Sequence, residues 1–410
     1  MSKSIKNSNL SNAKKAKNDE FYTQYHDIEK EMNAYLDFDE NVFRGKTILL
    51  PCDDPEWSNF TLYFAQNFAR LGLKKLISTS FAHQSKNLNT PYQPSLFESE
   101  SPIFNNEKSK QKGKIFTLTE DINQDGIVDL KDLQWQYLTG DGDFRSDEIK
   151  NLRDEADIII TNPPFSLFRE FMAWIMDANK KFAIIGNKNA ITYKEVFPLI
   201  KDNKIWSGSM PMGADILFHI PEYMENDFIE AKQEGSAYRK IDNKIMARST
   251  GMWFTNLEHG RRHQPLQLMT MEDNLKFNKS LKKEQYRNAY QEYDNYHAIE
   301  IPLVNAIPSD FDGVMGVPIS FLDKYNPEQF EILGATQRGC HDAVPDIKKY
   351  DDYWEMKQSG ERTGSSGGKT NENANLATND GKKNYFINKE GHIVQSTYQR
   401  IFIRHKGVKK

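Results

Sequence analysis

The sequence predicts an α/β chain: an open, parallel sheet wound by helices, followed by a region of different character. Three observations predict it. Short runs, "KTILL" (46–50), "KKLISTS" (74–80), "DIIIT" (157–161) and "KFAIIG" (181–186), read as strands, with the run 157–160 buried on both faces. Helical segments lie between them, and strand–helix alternation implies parallel strands joined by right-handed crossovers. Beyond about residue 260 the alternation fades.

In chain order, "FYTQYHDIEKEMNAYL" (21–36) has helical character, and the strand 46–50 ends at Pro51. "SNFTLYFAQNFARLG" (58–72) is an amphipathic helix with Ser58 as N-cap and Gly72 as its stop. Residues 84–113 are polar and proline-containing, and read as a surface excursion. "KIFTL" (114–118) is a further strand, and "SLFREFMAWIMDAN" (166–179) a helix between the strands 157–161 and 181–186. "GADILFHI" (213–220) and "TGMWFTN" (250–256) supply late strands, candidates for an antiparallel edge. The stretch 359–384 is rich in Gly, Ser, Asn and Thr and is predicted to be mobile by itself. "KNYFINKEG" and "TYQRIFIRHK" then form a strand pair. The predicted organisation is a basic flexible arm (1–20), a catalytic domain (21–260, with the insertion 84–113) and a second region (261–410).

The 410 residues, 38% hydrophobic and 27% charged, allow two or three domains with sizeable cores. No apolar run reaches the roughly 18 residues of a membrane helix, so no membrane partner is expected. The N-terminus lacks the apolar core of a secretory signal, and the two lone cysteines, Cys52 and Cys340, fit a reducing cytoplasm. Net charge is −4, but its distribution is uneven. Residues 1–17 carry five Lys and no acid, and residues 361–410 carry ten Lys or Arg against four acids. Positive ends around an acidic centre suit nucleic-acid-binding arms on a catalytic domain; ordinary solvated tails give the same pattern.

"DIIITNPPFSLF" (157–168) sets Asn-Pro-Pro-Phe directly after a buried strand. Proline cannot continue a ladder, so two prolines enforce a stiff, extended turn where ligands bind in open α/β sheets. A nucleobase amino group is a poor nucleophile because its lone pair is delocalised into the ring. The Asn162 side-chain oxygen and the Pro163 carbonyl are two rigid acceptors for its hydrogens, which favours a localised lone pair as nitrogen turns tetrahedral. Pro164 stiffens the turn, and Phe165 offers a face for a base, a contact worth about 1–3 kcal/mol. A proline-stiffened loop without chemistry has the same sequence.

The stretch around Asn162 resembles the (Asp/Asn)-Pro-Pro-(Tyr/Phe) motif of amino-methyltransferases that use S-adenosylmethionine. "KNDEFYTQYHDIEKE" (17–31), residues 43–77, "GDGDFRSDE" (140–148) and "AIIGNKNAITYKEVFPLI" (183–200) extend the likeness, and the chain is similar to the adenine-specific DNA methyltransferases of the EcoRI modification-methylase family. That resemblance implies a Rossmann-like S-adenosylmethionine-dependent methyltransferase domain with a C-terminal DNA-recognition region. It implies methylation of adenine N6 on a base flipped out of double-stranded DNA, within a restriction–modification system. It places Phe21, Tyr22 and Thr23 over the donor, Asp53 and Asp54 at the donor's amino-acid end, and Asp143 and Phe144 at the donor's adenine. Asn162, Pro163, Pro164 and Phe165 hold the target base, and Asn187 lines its pocket.

One departure is plain: "LLPCDDPEWSNF" has no glycine after the first strand, where donor-binding folds carry a Gly-rich turn. Asp53 and Asp54 also read as turn-forming acids, and Phe21-Tyr22-Thr23 as an anchor for the first helix. Arg261, Arg262, Lys382, Lys383, Arg400 and Arg404 are candidates for contact with the DNA backbone, against plain solvation. The alternative functions are methylation of RNA or of a protein amide, or a catalytically silent DNA-binding module. The sequence leaves the oligomeric state open, and a monomer is compatible with it.

"DINQDGIVDLKD" (121–132) has calcium-loop spacing. Asp121, Asn123, Asp125, Asp129 and Asp132 fall on ligand positions, with Gly126 at the turn and "LKDLQWQYL" as exit helix. Position 12 is Asp rather than Glu, no entry helix precedes the loop, and an acidic loop without an ion reads equally well.

Overall fold

The computed structural model describes residues 22–52, 58–82, 99, 101–214, 216–220, 225, 229–230, 232–241, 244–282, 288–336, 340, 344, 346–364, 371–378 and 384–407. By its contacts the chain forms two compact units. One runs up to Lys188 and includes Ala214–Leu257; the other joins Asn189–Gly213 to the residues from Glu258 onward. The sequence reading had divided the chain at 260, with 189–213 on the catalytic side. The arm 1–20 lies outside the described residues.

In the first unit the strands are β1 (Tyr22–Thr23), β2 (Thr47–Pro51), β3 (Lys75–Ser80), β4 (Lys114–Leu118), β5 (Gln134–Tyr137), β6 (Ile158–Thr161) and β7 (Lys181–Asn187), followed by Ile216–His219, Tyr238–Ile241, Lys244–Ser249 and Gly251–Thr255. The main sheet of this unit has the order β5-β4-β3-β2-β6-β7-(Gly251–Thr255). Its centre is parallel: Ile48 pairs with Leu76 on one side and Ile158 on the other, and Ile160 pairs with Ala183. Every residue of β2 and β6 is buried, as runs such as "TILLP" and "IIIT" require when helices cover both faces. The flanks depart from the predicted all-parallel sheet. β4 lies antiparallel to β3 and β5 antiparallel to β4, and Gly251–Thr255 lies antiparallel to β7, the direction expected of "TGMWFTN". A parallel neighbour needs a covering crossover helix, and among the described residues the link from β3 to β4 holds only a short helix, Asn106–Gln111.

Helix α1 spans Tyr25–Phe38, starting later than read because Tyr22–Thr23 is strand. Ser58 Oγ accepts from Phe60 N at 3.1 Å and starts α2 (Asn59–Gln66), and Gly72 closes the following turn, Phe68–Leu71, with a break at Asn67. The face that α2 turns inward is aromatic: Phe64 meets Phe43 edge-on at 5.8 Å and Phe60 meets Trp253 at 5.9 Å. Burying each such ring is worth about 1.5–3 kcal/mol. The helix between β6 and β7 is Phe168–Asp177, with Phe168, Phe171 and Ile175 buried. A second sheet, in the order β1-(Ile216–His219)-(Lys244–Ser249)-(Tyr238–Ile241), draws in the start of the described chain by pairing Thr23 with Phe218.

The second unit holds two four-stranded sheets, one ordered Ile299–Glu300, Met315–Pro318, Arg400–His405, Phe330–Ala335, the other Trp354–Met356, Tyr385–Ile387, Ile393–Ser396, Asn375–Ala377. The predicted partnership of "KNYFINKEG" with "TYQRIFIRHK" is therefore corrected: Tyr385–Ile387 pairs with Ile393–Ser396, and Arg400–His405 is central in the other sheet. Part of the stretch predicted to be mobile is also corrected. Ala374 and Asn375 are fully buried, and Asn375 N donates to Asn295 Oδ1 at 2.8 Å. No helix among the described residues is long and apolar enough to cross a membrane.

Candidate functional site

The central parallel strands end on one edge of the main sheet. β2 ends at Pro51, and β6 ends at Thr161, whose hydroxyl donates to the Pro51 carbonyl and ties the two ends together. The next residue is Asn162, partly buried, with its Oδ1 shielded from solvent. Pro163 is buried, Pro164 and Phe165 partly so, and Leu167 N donates to the Pro164 carbonyl at 2.9 Å, opening a single 3-10 turn before the helix Phe168–Asp177. The rigid turn read from the two prolines stands at the end of a fully buried strand.

Asn187, the last residue of β7, pairs with Gly251. Its side-chain amide donates to Thr250 Oγ1 at 2.8 Å, and Lys188 N donates to the Thr250 carbonyl at 2.8 Å. A Cβ on Gly251 would stand 2.9 Å from Ser249 Oγ, 3.2 Å from Ile185 Cγ2 and 3.6 Å from Phe165 Cζ. The aromatic of the Asn-Pro-Pro-Phe turn thus lies over a glycine whose cross-strand partner is Asn187. Two residues that the family resemblance assigns to the target base, Phe165 and Asn187, both adjoin a third, Gly251, that sequence reasoning missed. A glycine opening a strand was the available signal, since glycine in strands marks close approach.

On the other side of the edge, Asn59 Nδ2 donates to the Thr23 carbonyl at 2.7 Å, which docks the N-terminal strand at the start of α2. Thr23 is 3% exposed and Thr79, opposite Pro51 in β3, is 1% exposed; neither Oγ1 has a hydrogen-bond partner among the described residues. Buried hydroxyls without partners are rare and suit a site that receives a polar ligand. Asp143 and Phe144 reach this edge because Gly142, at φ 86°, lies against Ser80, where a Cβ would meet the Ser80 carbonyl at 2.3 Å.

Asp143 holds Arg145: Oδ1 accepts from N at 2.8 Å and Nε at 2.9 Å, and Oδ2 from Nη2 at 2.6 Å. These bonds hold the Asp143 carboxyl below the usual carboxylate range. Phe144 is a core side chain, 5% exposed, packed edge-on to Phe171 at 5.1 Å and Trp174 at 5.8 Å. Phe21, Asp53 and Asp54 lie outside the described residues, as does the side chain of Tyr22.

Two basic candidates are corrected. Arg262 is 5% exposed, stacked over Trp206 with its guanidinium carbon 3.6 Å from the ring centroid and bonded to Asn203, and burial lowers its pKa. Arg400 is 8% exposed and grips buried Glu300, Nη2 to Oε1 at 2.6 Å. Both are buried and engaged with side chains inside the second unit. Arg261 bridges to Asp323 at 2.9 Å, exposed Arg404 donates to Glu331 at 2.6 Å, and Lys382 and Lys383 lie outside the described residues.

The calcium reading is likewise corrected. Asp132 accepts from Ile122 N at 2.9 Å, Asn123 N at 3.1 Å and Asp129 N at 3.0 Å. Asp121 Oδ2 accepts from Gly126 N at 2.7 Å, and Asn123 and Asp125 accept from the amides two residues on. The acids close a turn on its own backbone, and no cluster of metal-ligating side chains occurs among the described residues. The exit helix is absent as well: Gln134–Tyr137 is β5, in keeping with the alternation of Leu133, Trp135 and Tyr137.

Comparisons with known proteins give the family of the chain. The family model of the adenine-specific methyltransferase EcoRI matches residues 9–406. The chain is 40% identical to the Type II methyltransferase M.EcoRI of Escherichia coli over 81% of its own length and 90% of that protein. It is 32% identical to M.MpnI of Mycoplasma pneumoniae, over 78% and 83%, and 33% identical to M.MgeORF184P of Mycoplasma genitalium, over 78% and 84%. No solved structure matches the chain. With nearly its whole length matched and the Asn-Pro-Pro-Phe turn at the end of its central strand, the chain belongs to the EcoRI family of adenine-specific methyltransferases.

Proposed function

We propose that this chain methylates the N6 amino group of an adenine rotated out of double-stranded DNA, with Asn162 Oδ1 and the Pro163 carbonyl as the two acceptors of the amino hydrogens. The observation that carries the reading is the Asn162–Phe165 turn at the end of β6, with Phe165 over Gly251 and Asn187 across from it. S-adenosylmethionine, when bound, supplies an electrophilic methyl carbon. Asn162 and Pro163 draw the amine out of conjugation, and the solvent-shielded position of Oδ1 strengthens that hydrogen bond. Fixed acceptors contribute through alignment and exclusion of water rather than through a strong base. Phe165 stacks on the extruded base and offsets part of the few kcal/mol needed to unstack it.

The donor's seat is built from Thr23, Asn59 and the Asp143–Phe144 segment, whose buried hydroxyl and turn at Ser80 fit a polar ligand. Asp53, Asp54, Phe21 and the side chain of Tyr22, which the family resemblance assigns to the donor, lie outside the described residues. Its partner is duplex DNA, in the setting of a restriction–modification system, which the Type II names of the relatives support. Exposed Arg404 remains a candidate for phosphate contact. Incubation with label-bearing donor and unmethylated duplex DNA, followed by nucleoside analysis, tests the reading. Label in N6-methyladenine is expected; label confined to RNA or to a protein amide overturns it.

A further inference from the structure

Tyr398 is 84% exposed, the most exposed of the large hydrophobic side chains among the described residues, yet its backbone is held from both sides. Thr397 donates through N at 2.8 Å and Oγ1 at 2.9 Å to the Ala374 carbonyl. Arg400 Nη1 donates to the carbonyls of Tyr398 and Gln399, each at 3.2 Å, while the same guanidinium grips Glu300 in the core. The ring therefore stands in solvent on a backbone that is hydrogen-bonded on both sides.

Beside the ring lies a cavity of about 540 Å³ lined by Gln358, Asn384, Gln395, Ser396, Thr397 and Tyr398, with no carboxylate among them. The strand register brings the amides together. Phe386 pairs with Val394 and Met356 with Tyr385, so Asn384, Gln395 and Gln358 stand at one end of the same sheet. Ser396 and Thr397 are engaged with Asn375 and Ala374, and the Asn384 amide donates to Glu355 Oε1 at 3.3 Å, which leaves Gln358, Gln395 and the ring as the reading groups. On the Gln358 hairpin, the guanidinium carbon of exposed Arg362 lies 4.3 Å from the centroid of the Trp354 ring.

Resting on the DNA reading above, we infer that this groove recognises base edges of the DNA target, with Gln395 and Gln358 as the specificity-determining amides and Tyr398 as an aromatic that packs against a base step. A carboxamide offers a donor and an acceptor side by side, the pattern that adenine shows in the major groove through N7 and N6. Glutamine side chains in a groove suit base edges, and an exposed ring suits contact with a stacked or unstacked base.

The test uses the full chain and a library of unmethylated duplexes with randomised sequence, sequenced for modified adenines. The wild type gives one motif. Gln395→Ala is expected to relax one position of that motif, so that non-cognate sites reach at least about a tenth of the cognate rate. Gln395→Glu, which keeps an acceptor and loses the donor, is expected to move preference at that position toward cytosine. Tyr398→Ala is expected to raise KM for DNA roughly tenfold at unchanged kcat. Unchanged melting temperature in each variant excludes a folding effect, because these side chains are not core. Wild-type motif and wild-type KM in all three variants overturn the inference. A wild-type chain that methylates no DNA overturns the parent reading instead.

Discussion

The side-chain amide of Asn187 donates to Thr250 Oγ1 at 2.8 Å, across the antiparallel pair that closes the main sheet. The bond sets the plane of the amide beside the Phe165–Gly251 contact, so an exposed threonine fixes the side chain proposed to line the target pocket. Thr250→Val keeps the shape and removes the acceptor. It is expected to raise KM for DNA about fivefold, with stability changed by no more than about 1 kcal/mol. Steady-state kinetics with a cognate duplex, beside urea unfolding, checks both parts.

Gly251 has room for no side chain on its Phe165 side. A Cβ there meets Ser249 Oγ at 2.9 Å and Ile185 Cγ2 at 3.2 Å before it reaches the ring. Gly251→Val is expected to displace Phe165 and to weaken DNA binding about tenfold while leaving donor binding within twofold. Calorimetry with the donor and fluorescence anisotropy with duplex DNA separate the two. Equal losses in both would show that the valine disturbs the whole edge.

Asp132 draws three backbone amides to one carboxylate, and the bond from Asp129 leads in holding its carboxyl below the ordinary range. A carboxyl depressed on folding adds stability above its unfolded value, near pH 4, and loses it as pH falls through the folded value. Asp132→Asn should therefore lower the melting temperature at pH 7, and the difference from wild type should shrink below about pH 4. Millimolar calcium against excess EDTA should leave the wild-type melting temperature unchanged.

Arg400 and Glu300 form a buried pair in the second unit, and Tyr293, fully buried beside them, donates to the same carboxylate. Burial and the Glu300 charge raise the Tyr293 phenol well above its usual range, so it stays a donor. Arg400→Met leaves Glu300 buried without its cation and should cost about 3–5 kcal/mol. The double variant Arg400→Met, Glu300→Leu should recover much of that in urea unfolding, whereas an undiminished loss would place the role of Arg400 outside the pair.

What the sequence made legible follows from what local pattern encodes. Continuous apolar runs marked β2, β3, β6 and β7 within a residue or two, because a strand covered on both faces needs no polar position. The proline pair marked the end of β6, since proline itself ends the ladder. Strand direction was not legible: "KIFTL" has the same pattern whether its neighbour runs with or against it, and it runs against. The basic residues misled for a related reason. Arg262 and Arg400 look like surface cations until Trp206 and Glu300, distant in sequence, fold over them. The contact from Asn59 to Thr23 was not legible either, because it joins residues 36 apart and leaves no local trace.

The account turns on Asn162 as an acceptor of the adenine amino group, and Asn162→Ala tests it most directly. Measured as single-turnover methyl transfer to duplex DNA beside calorimetric donor binding, the variant should keep donor affinity within twofold and lose roughly 100- to 1,000-fold in rate, the scale of removing one preorganised hydrogen-bonding group. Transfer at the wild-type rate by this variant would contradict the assignment.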